Sequence, residues 1–183
     1  MVLLLLGFLL GWFSSSRNSD AQPSNPTKPI LNTVIKLPVD APLADSSVMQ
    51  LGGGKPNIAI SSDGALIVYA AKIGLSSALY KRLLNQEEAE LIEGTEGAFA
   101  PFISPDGRWI GFFADNKLKK VSVDGGKPLV LTDAVNGYGG TWSDAGTIIF
   151  SEQVGYKLVS IDENGANKKL ITEVRSVFPN VLQ

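Results

Sequence analysis

The residues whose types and spacing could do chemistry are carboxylates set beside glycines. They occur as Ser61-Ser62-Asp63-Gly64, Ser104-Pro105-Asp106-Gly107 and Ser143-Asp144-Ala145-Gly146. Carboxylates in such numbers suit acid/base work on glycosides or oxygen ligation of calcium. Their setting argues for a humbler role. Pro105 presets φ for a tight reversal, Asp106 can bond its own backbone, and Gly107 accepts positive φ without steric cost. The same reading makes Asp63, Gly64 and Gly146 turn-shaping residues. The 183 residues include no cysteine and no histidine, so a thiol nucleophile, a thiolate or imidazole zinc site and a histidine-based triad are excluded within this chain. Gly52–Gly54 followed by Lys55 departs from the spacing of a phosphate-binding loop, and Pro56 follows it instead of a helix. A Gly-rich loop on a strand pair, His-Arg-Asp and Asp-Phe-Gly are likewise missing. No catalytic, cofactor-binding or metal-ligating residue is assigned.

The elements around these turns are strands. Phe99–Ile103 and Arg108–Ala114, rich in aromatic and β-branched residues, flank the Pro105 turn as an expected hairpin. Ala65–Ala70 follows Gly64 and Thr147–Phe150 follows Gly146 in the same way. Gly64 and Gly107 lie 43 positions apart, Gly107 and Gly146 39, close to the period of a four-stranded propeller blade. The second half of each unit repeats too: Leu118–Gly126 matches Tyr156–Gly165, and the short apolar segments Pro128–Leu131 and Leu170–Thr172 follow. Apolar runs of four to seven residues, broken by Gly, Asp or Asn, exclude a helical solenoid. Both faces of Trp109–Phe113 are apolar, as a strand packed between two other blades requires. Glu87, Glu88, Ala89 and Glu90 favour helix within Leu83–Glu93, and the period predicts a strand there instead.

The run Ser104–Phe113 with Leu118–Gly126 resembles the TolB-like, WD40-like propeller repeats that follow the membrane helix in many bacterial receptor-type serine/threonine kinases. The likeness takes in Ile35–Pro38 and Glu93–Gly97, and it covers Asn32 to the end. The resemblance implies an all-β fold, a partial β-propeller of about three four-stranded blades. Two turns depart from the pattern, with Ser62 in place of proline and Ala145 in place of aspartate. These departures confine the turn aspartates to shaping turns.

Composition agrees with one core-forming domain: 44% of residues are hydrophobic. Lys+Arg 16 against Asp+Glu 18 leaves a net charge of −2, a balance that gives no sign of a nucleic-acid surface. Lys117, Lys119 and Lys120 form the densest basic cluster and are expected on an outer strand as edge protection. Val2–Phe13 is a solid apolar run, shorter than the roughly 20 residues of a spanning helix. It lacks the basic lead and cleavage site of a signal peptide. Residues 1–16 are expected as an apolar helix, a membrane anchor or truncated transmembrane segment, with a secretion signal as the alternative, and the polar, proline-rich stretch 17–31 as a linker. Thr33–Leu37 is expected as a leading strand that in an intact propeller would complete a last blade, with Pro38–Gly54 as loop. Blades are placed at about 57–92, 99–132 and 141–172, and the start of a fourth at 177–183. The chain is expected to be a segment of a longer protein.

Phe99, Phe102, Tyr138 and Trp142 gather at the entries to blades two and three, where they are expected to pack between blades. The function expected is non-catalytic. It is that of an extracytoplasmic sensor region, tethered by its N-terminal segment, that binds a protein or cell-envelope ligand without nucleic acid or cofactor. The alternatives are the propeller of a prolyl-oligopeptidase-like serine peptidase and a stand-alone periplasmic TolB-like scaffold.

Overall fold

The computed structural model describes residues 34–45, 56–153 and 156–173. The expected N-terminal helix, the linker, the glycine run at Gly52–Gly54 and the start of a fourth blade lie outside them. The chain divides into two units, Met1–Ile35 and Lys36–Gln183, and the second holds every strand described below.

Among the described residues twelve strands form three antiparallel sheets of four, each in simple sequence order. Blade one is β1 (Ile58–Ile60), β2 (Leu66–Ile73), β3 (Ser76–Leu83) and β4 (Glu90–Leu91). Blade two is β5 (Phe99–Ile103), β6 (Trp109–Ala114), β7 (Lys117–Ser122) and β8 (Leu129–Asp133). Blade three is β9 (Gly139–Trp142), β10 (Thr147–Glu152), β11 (Lys157–Asp162) and β12 (Lys169–Glu173). The inner strands β1, β5 and β9 touch across blades. This is the all-β, partial-propeller architecture that the repeat implied. Leu83–Glu93 contains a turn closed by Gln86 N–H to Leu83 O (2.9 Å) and the two-residue strand β4, with no helix. Tertiary pairing to β3 overrides the local propensity of the glutamates.

Two apolar layers join the blades. Leu66, Val68, Ala70 and Leu79 of blade one meet Ile110, Phe112, Ala114 and Val121 of blade two. Phe102, Phe113 and Leu118 of blade two meet Trp142, Ile148, Phe150, Val159 and Ile161 of blade three. Since successive residues of a strand point to opposite faces, β6 serves both layers at once, and Ile110 through Ala114 are all buried.

The second layer depends on a bulge. In a regular strand Phe99 and Phe102 would face opposite ways, but the β5–β6 register shifts between them, and Ala100 takes φ 48° ahead of Pro101. Proline has no N–H to give the ladder, so a bulge on an inner strand suits it. Both phenylalanines then meet Phe113, at ring-centre distances of 5.8 and 6.4 Å. The Phe102 ring occupies the space that a Cβ would need at Gly111 and at Gly140, where the nearest ring carbon would be 2.7 Å away. Phe113 lies against Gly137 in the same manner.

The segment preceding blade one corrects two expectations. Residues 34–38 form no strand, and Leu43, expected in a loop, bridges Ala71. Ala44 N–H donates to Ala70 O and Lys72 N–H to Pro42 O (both 2.8 Å), while Ala70 N–H donates to Asn57 O (2.9 Å). Pro42–Ala44 thus extends the lane of the short strand β1 along β2. Leu37 and Ala41 cover Tyr69, Ala71 and Tyr80 on the face of blade one turned away from blade two, so this segment caps its own blade. Tyr69, 1% exposed, donates its hydroxyl to Ala41 O (3.3 Å), and burial, reinforced by Tyr80, pushes its phenol up to about 12.

Two outcomes test this packing. Gly111→Ala should destabilise the fold by about 1–3 kcal/mol in denaturant titrations, because the added methyl collides with the Phe102 ring. Tyr69 is held neutral in the fold, so its contribution is intact below its ordinary value of about 10 and is lost as pH rises through about 12. Alkaline unfolding followed by circular dichroism should therefore lose that component in Tyr69→Phe.

Candidate functional site

The repeated turns lie at one end of the blades and share one construction. Gly64, Gly107 and Gly146 adopt φ of 73°, 71° and 72°, and the N–H of each donates to the carbonyl of the serine three residues before (2.9, 2.9 and 3.0 Å). Ser61 Oγ donates to Asp63 Oδ1 (2.5 Å) and accepts from Leu66 N–H (2.9 Å). Ser104 Oγ does the same with Asp106 Oδ1 (2.6 Å) and Trp109 N–H (2.9 Å). The freed carboxylate oxygen lobes collect Ala65 N–H (2.9 Å) and Arg108 N–H (3.1 Å). Ser61 and Ser104 therefore close their ladders five residues on, at Leu66 and Trp109. With Ala145 in place of aspartate nothing holds the extra residue, so Ser143 closes at Thr147, four residues on, and Thr147 N–H takes Ser143 Oγ (3.2 Å). The aspartates set loop length, and the serines close the loop.

Asp106 also accepts from Arg108 Nε at 2.6 Å. Its bond from Ser104, then those from Arg108, hold its carboxyl down at about 2. Pro105 O accepts from Ser62 Oγ (3.0 Å), which ties the first turn to the second across the blade boundary.

The second and third turns face each other over a cleft of about 570 Å³. Ser104, Pro105, Asp106, Arg108 and Trp109 line it from blade two. Trp142, Ser143, Asp144, Gly146 and Glu163 line it from blade three. Lys120 Nζ stands against three of these residues: 4.6 Å from the Trp109 ring centre, 5.7 Å from that of Trp142, and donating to Glu163 O at 2.7 Å. Cation–π attraction of this kind is worth about 0.5–2 kcal/mol according to desolvation.

Sequence reasoning placed the lysines wrongly. β7 is paired along both edges, to β6 and to β8, so Lys117, Lys119 and Lys120 do not sit on an outer strand. Lys117 meets Asp133 (2.5 Å) and Lys119 meets Asp115 (2.7 Å) across the sheet surface, while Lys120 turns to blade three. Of the aromatics expected between blades, Phe99, Phe102 and Trp142 belong to that layer. Phe102 is edge-on to Trp142 at 6.3 Å, Phe99 stacks on Phe113, and Tyr138 is half-buried. The six turn residues split: Pro105 and Asp106 line the cleft with Gly146, whereas Asp63 and Gly64 belong to the first turn, and Gly107 serves the second as its positive-φ residue. Lys120 and Glu163 were not read as site residues, because the contacts that place them there, to Trp142 and between Lys120 Nζ and Glu163 O, cross from one repeat to the next. Among the described residues no cluster of three or more metal-ligating side chains is present.

Three meander sheets with touching inner strands define a β-propeller scaffold, in part. No protein-family model and no curated protein matches the chain. Solved structures do. The chain is similar to a putative TolB from Agrobacterium tumefaciens at 20% identity and TM-score 0.54, over 67% of this chain and 50% of that one. It is similar to a chain of a nidogen/laminin complex at 15% identity and TM-score 0.54, over 63% and 47%. An acylaminoacyl peptidase matches at 16% and TM-score 0.51, over 74% of this chain and 26% of its own. The chain thus spans about half the length of the first two, and at these identities the likeness is one of fold.

The turn construction gives an acid-side test. A depressed carboxyl contributes stability above its ordinary value near 4 and loses it as pH falls through about 2. Asp106→Asn should lower stability by about 0.5–1 kcal/mol at neutral pH, since the bonds are solvent-screened. The difference from the parent should vanish in melts taken between pH 4 and pH 2.

Proposed function

We propose that this chain is a non-catalytic recognition module, the extracytoplasmic propeller portion of a membrane-anchored bacterial sensor of the serine/threonine kinase type. The observation that carries the recognition role is the cleft between blades two and three. There, exposed turn residues of two repeats converge on a floor of two tryptophans fixed by the interblade core. Rigid aromatic platforms edged by adaptable polar turns are a common form of binding surface. The tether rests on the apolar run Val2–Phe13 and the polar linker after it, and the kinase context on the resemblance of the repeats. A ligand in this setting is a protein or a component of the cell envelope.

A second reading, the shielding propeller of a serine peptidase, draws on the fold shared with the acylaminoacyl peptidase. It requires a hydrolase domain with a Gly-x-Ser-x-Gly elbow in the same polypeptide. A stand-alone TolB-like scaffold requires neither domain.

The placement is tested with alkaline phosphatase, active only outside the cytoplasm, fused after Gln183 in a bacterial host. Membrane-bound, active enzyme is expected, and inactive enzyme in the soluble fraction would overturn the tether. The coding DNA on either side of the segment then decides the context. A kinase domain upstream supports the sensor, and an elbow-bearing domain downstream replaces it with the peptidase.

A further inference from the structure

The two blade boundaries use one device with different residues. Lys81 of β3 reaches across the first boundary to donate to Val123 O (2.9 Å), as Lys120 of β7 reaches across the second to Glu163 O (2.7 Å). At the first boundary, Lys81 is neutralised by Glu90 at 3.4 Å, and Glu90 is its neighbour on the outer strand. Leu129 holds the matching place beside Lys120. Lys120, half-buried, has no ion pair among the described residues, and its bond to Glu163 O occupies one of three donors.

The residues around the ammonium differ as well. Leu66 opens β2 and Ile103 precedes the second turn, both packed into the first layer. Trp109 and Trp142 hold those positions at the second boundary. The first boundary shows that leucine, isoleucine and a paired lysine suffice to join two blades. Trp142, 7% exposed, serves the interblade core, but the half-buried indole of Trp109 and an ammonium without a counter-ion beside a cleft of about 570 Å³ exceed what packing asks.

We infer that the cleft binds an acidic sugar, a pyranose carrying a carboxylate. Each part of such a ligand has a counterpart. A pyranose presents a face of C–H groups that suits an indole. Its carboxylate suits the spare donors of Lys120, in a charge-assisted bond. Its hydroxyls are donors for Asp144 and Glu163, carboxylates that line the cleft. A neutral sugar would leave the ammonium unanswered, and a simple anion would leave the Trp109 indole unused. This names the ligand class for the recognition role above and rests on it. Failure of the phosphatase fusion would remove the membrane placement while leaving the binding test readable.

The test is isothermal titration of the full chain with D-glucuronate and with D-glucose, alongside tryptophan fluorescence. Saturable binding of glucuronate, about tenfold tighter than glucose, is expected from one charged hydrogen bond. Lys120→Met, which keeps the stem, should remove that preference with the thermal transition preserved. Trp109→Leu copies the first boundary and should weaken both sugars. Leu129→Glu supplies the counter-ion that blade one has and should abolish the preference for the acid without touching a lining residue. No saturable glucuronate signal, equal affinity for glucose, or unchanged preference in both Lys120→Met and Leu129→Glu would each overturn the inference.

Discussion

The constraint on which the rest depends is the seating of large aromatic rings on bare backbone where two sheets meet. Phe102 lies over Gly111 of its own blade and Gly140 of the next, and Phe113 lies over Gly137. A sheet-to-sheet spacing near 10 Å leaves little room for a phenyl ring between two layers of side chains. Removing the Cβ beneath it creates that room. Full burial of such a side chain contributes about 1.5–3 kcal/mol, and the glycines make it attainable without pushing the blades apart. Trp142 meets Phe102 edge-on, and Phe150 meets Phe113 at 6.2 Å, so the position of blade three on blade two follows from these two rings.

From that seat the polar structure is ordered outward. At the turn end, Lys81 and Lys120 extend from third strands to carbonyls of the following blade. Lys168 of blade three reaches back to Asp133 O (2.7 Å) and pairs with Glu152 (2.6 Å). A flexible lysine stem lets each ammonium cross the boundary over apolar surface. On the far face of blade one the leading segment takes the place of a neighbour. It pairs with β2 beyond the end of β1 and covers Tyr69, so a large phenol is buried without a second blade. The corresponding outward face of blade three carries Thr141, Ile149, Ser151, Leu158 and Ser160. Among the described residues it has no aromatic set to match Phe102 and Phe113.

The turns show how a small change in one side chain alters local geometry. Asp63 and Asp106 hold an extra residue in their loops, and Ala145 cannot. The third turn is shorter by that residue, and Thr147 rather than its successor closes the ladder. The carboxylate of Asp106 is thereby committed to Ser104 and Arg108. Asp144, one place earlier in its turn, is left to line the cleft.

Much of the fold was legible in the chain because β-strands and their turns are local. The Asp-Gly and Ala-Gly reversals, their period, and the two apolar faces of Trp109–Phe113 needed only neighbouring residues to be read. The helix-favouring glutamates near Leu83 gave way to the period, which predicted a strand where β4 is found. What the sequence by itself determined was therefore the repeating meander, the turn residues and the chemistry ruled out by the lack of cysteine and histidine. Tertiary structure alone decided which strand of a blade carried Lys120, that a bulge at Ala100 turned Phe99 and Phe102 to one side, and that Pro42–Ala44 capped blade one. Those depend on register and on contacts between residues about 40 positions apart, which no local pattern encodes. The cleft belongs to that second kind, because its two tryptophans, its ammonium and its carboxylates come from different repeats and meet only when the glycine-seated rings bring the blades together.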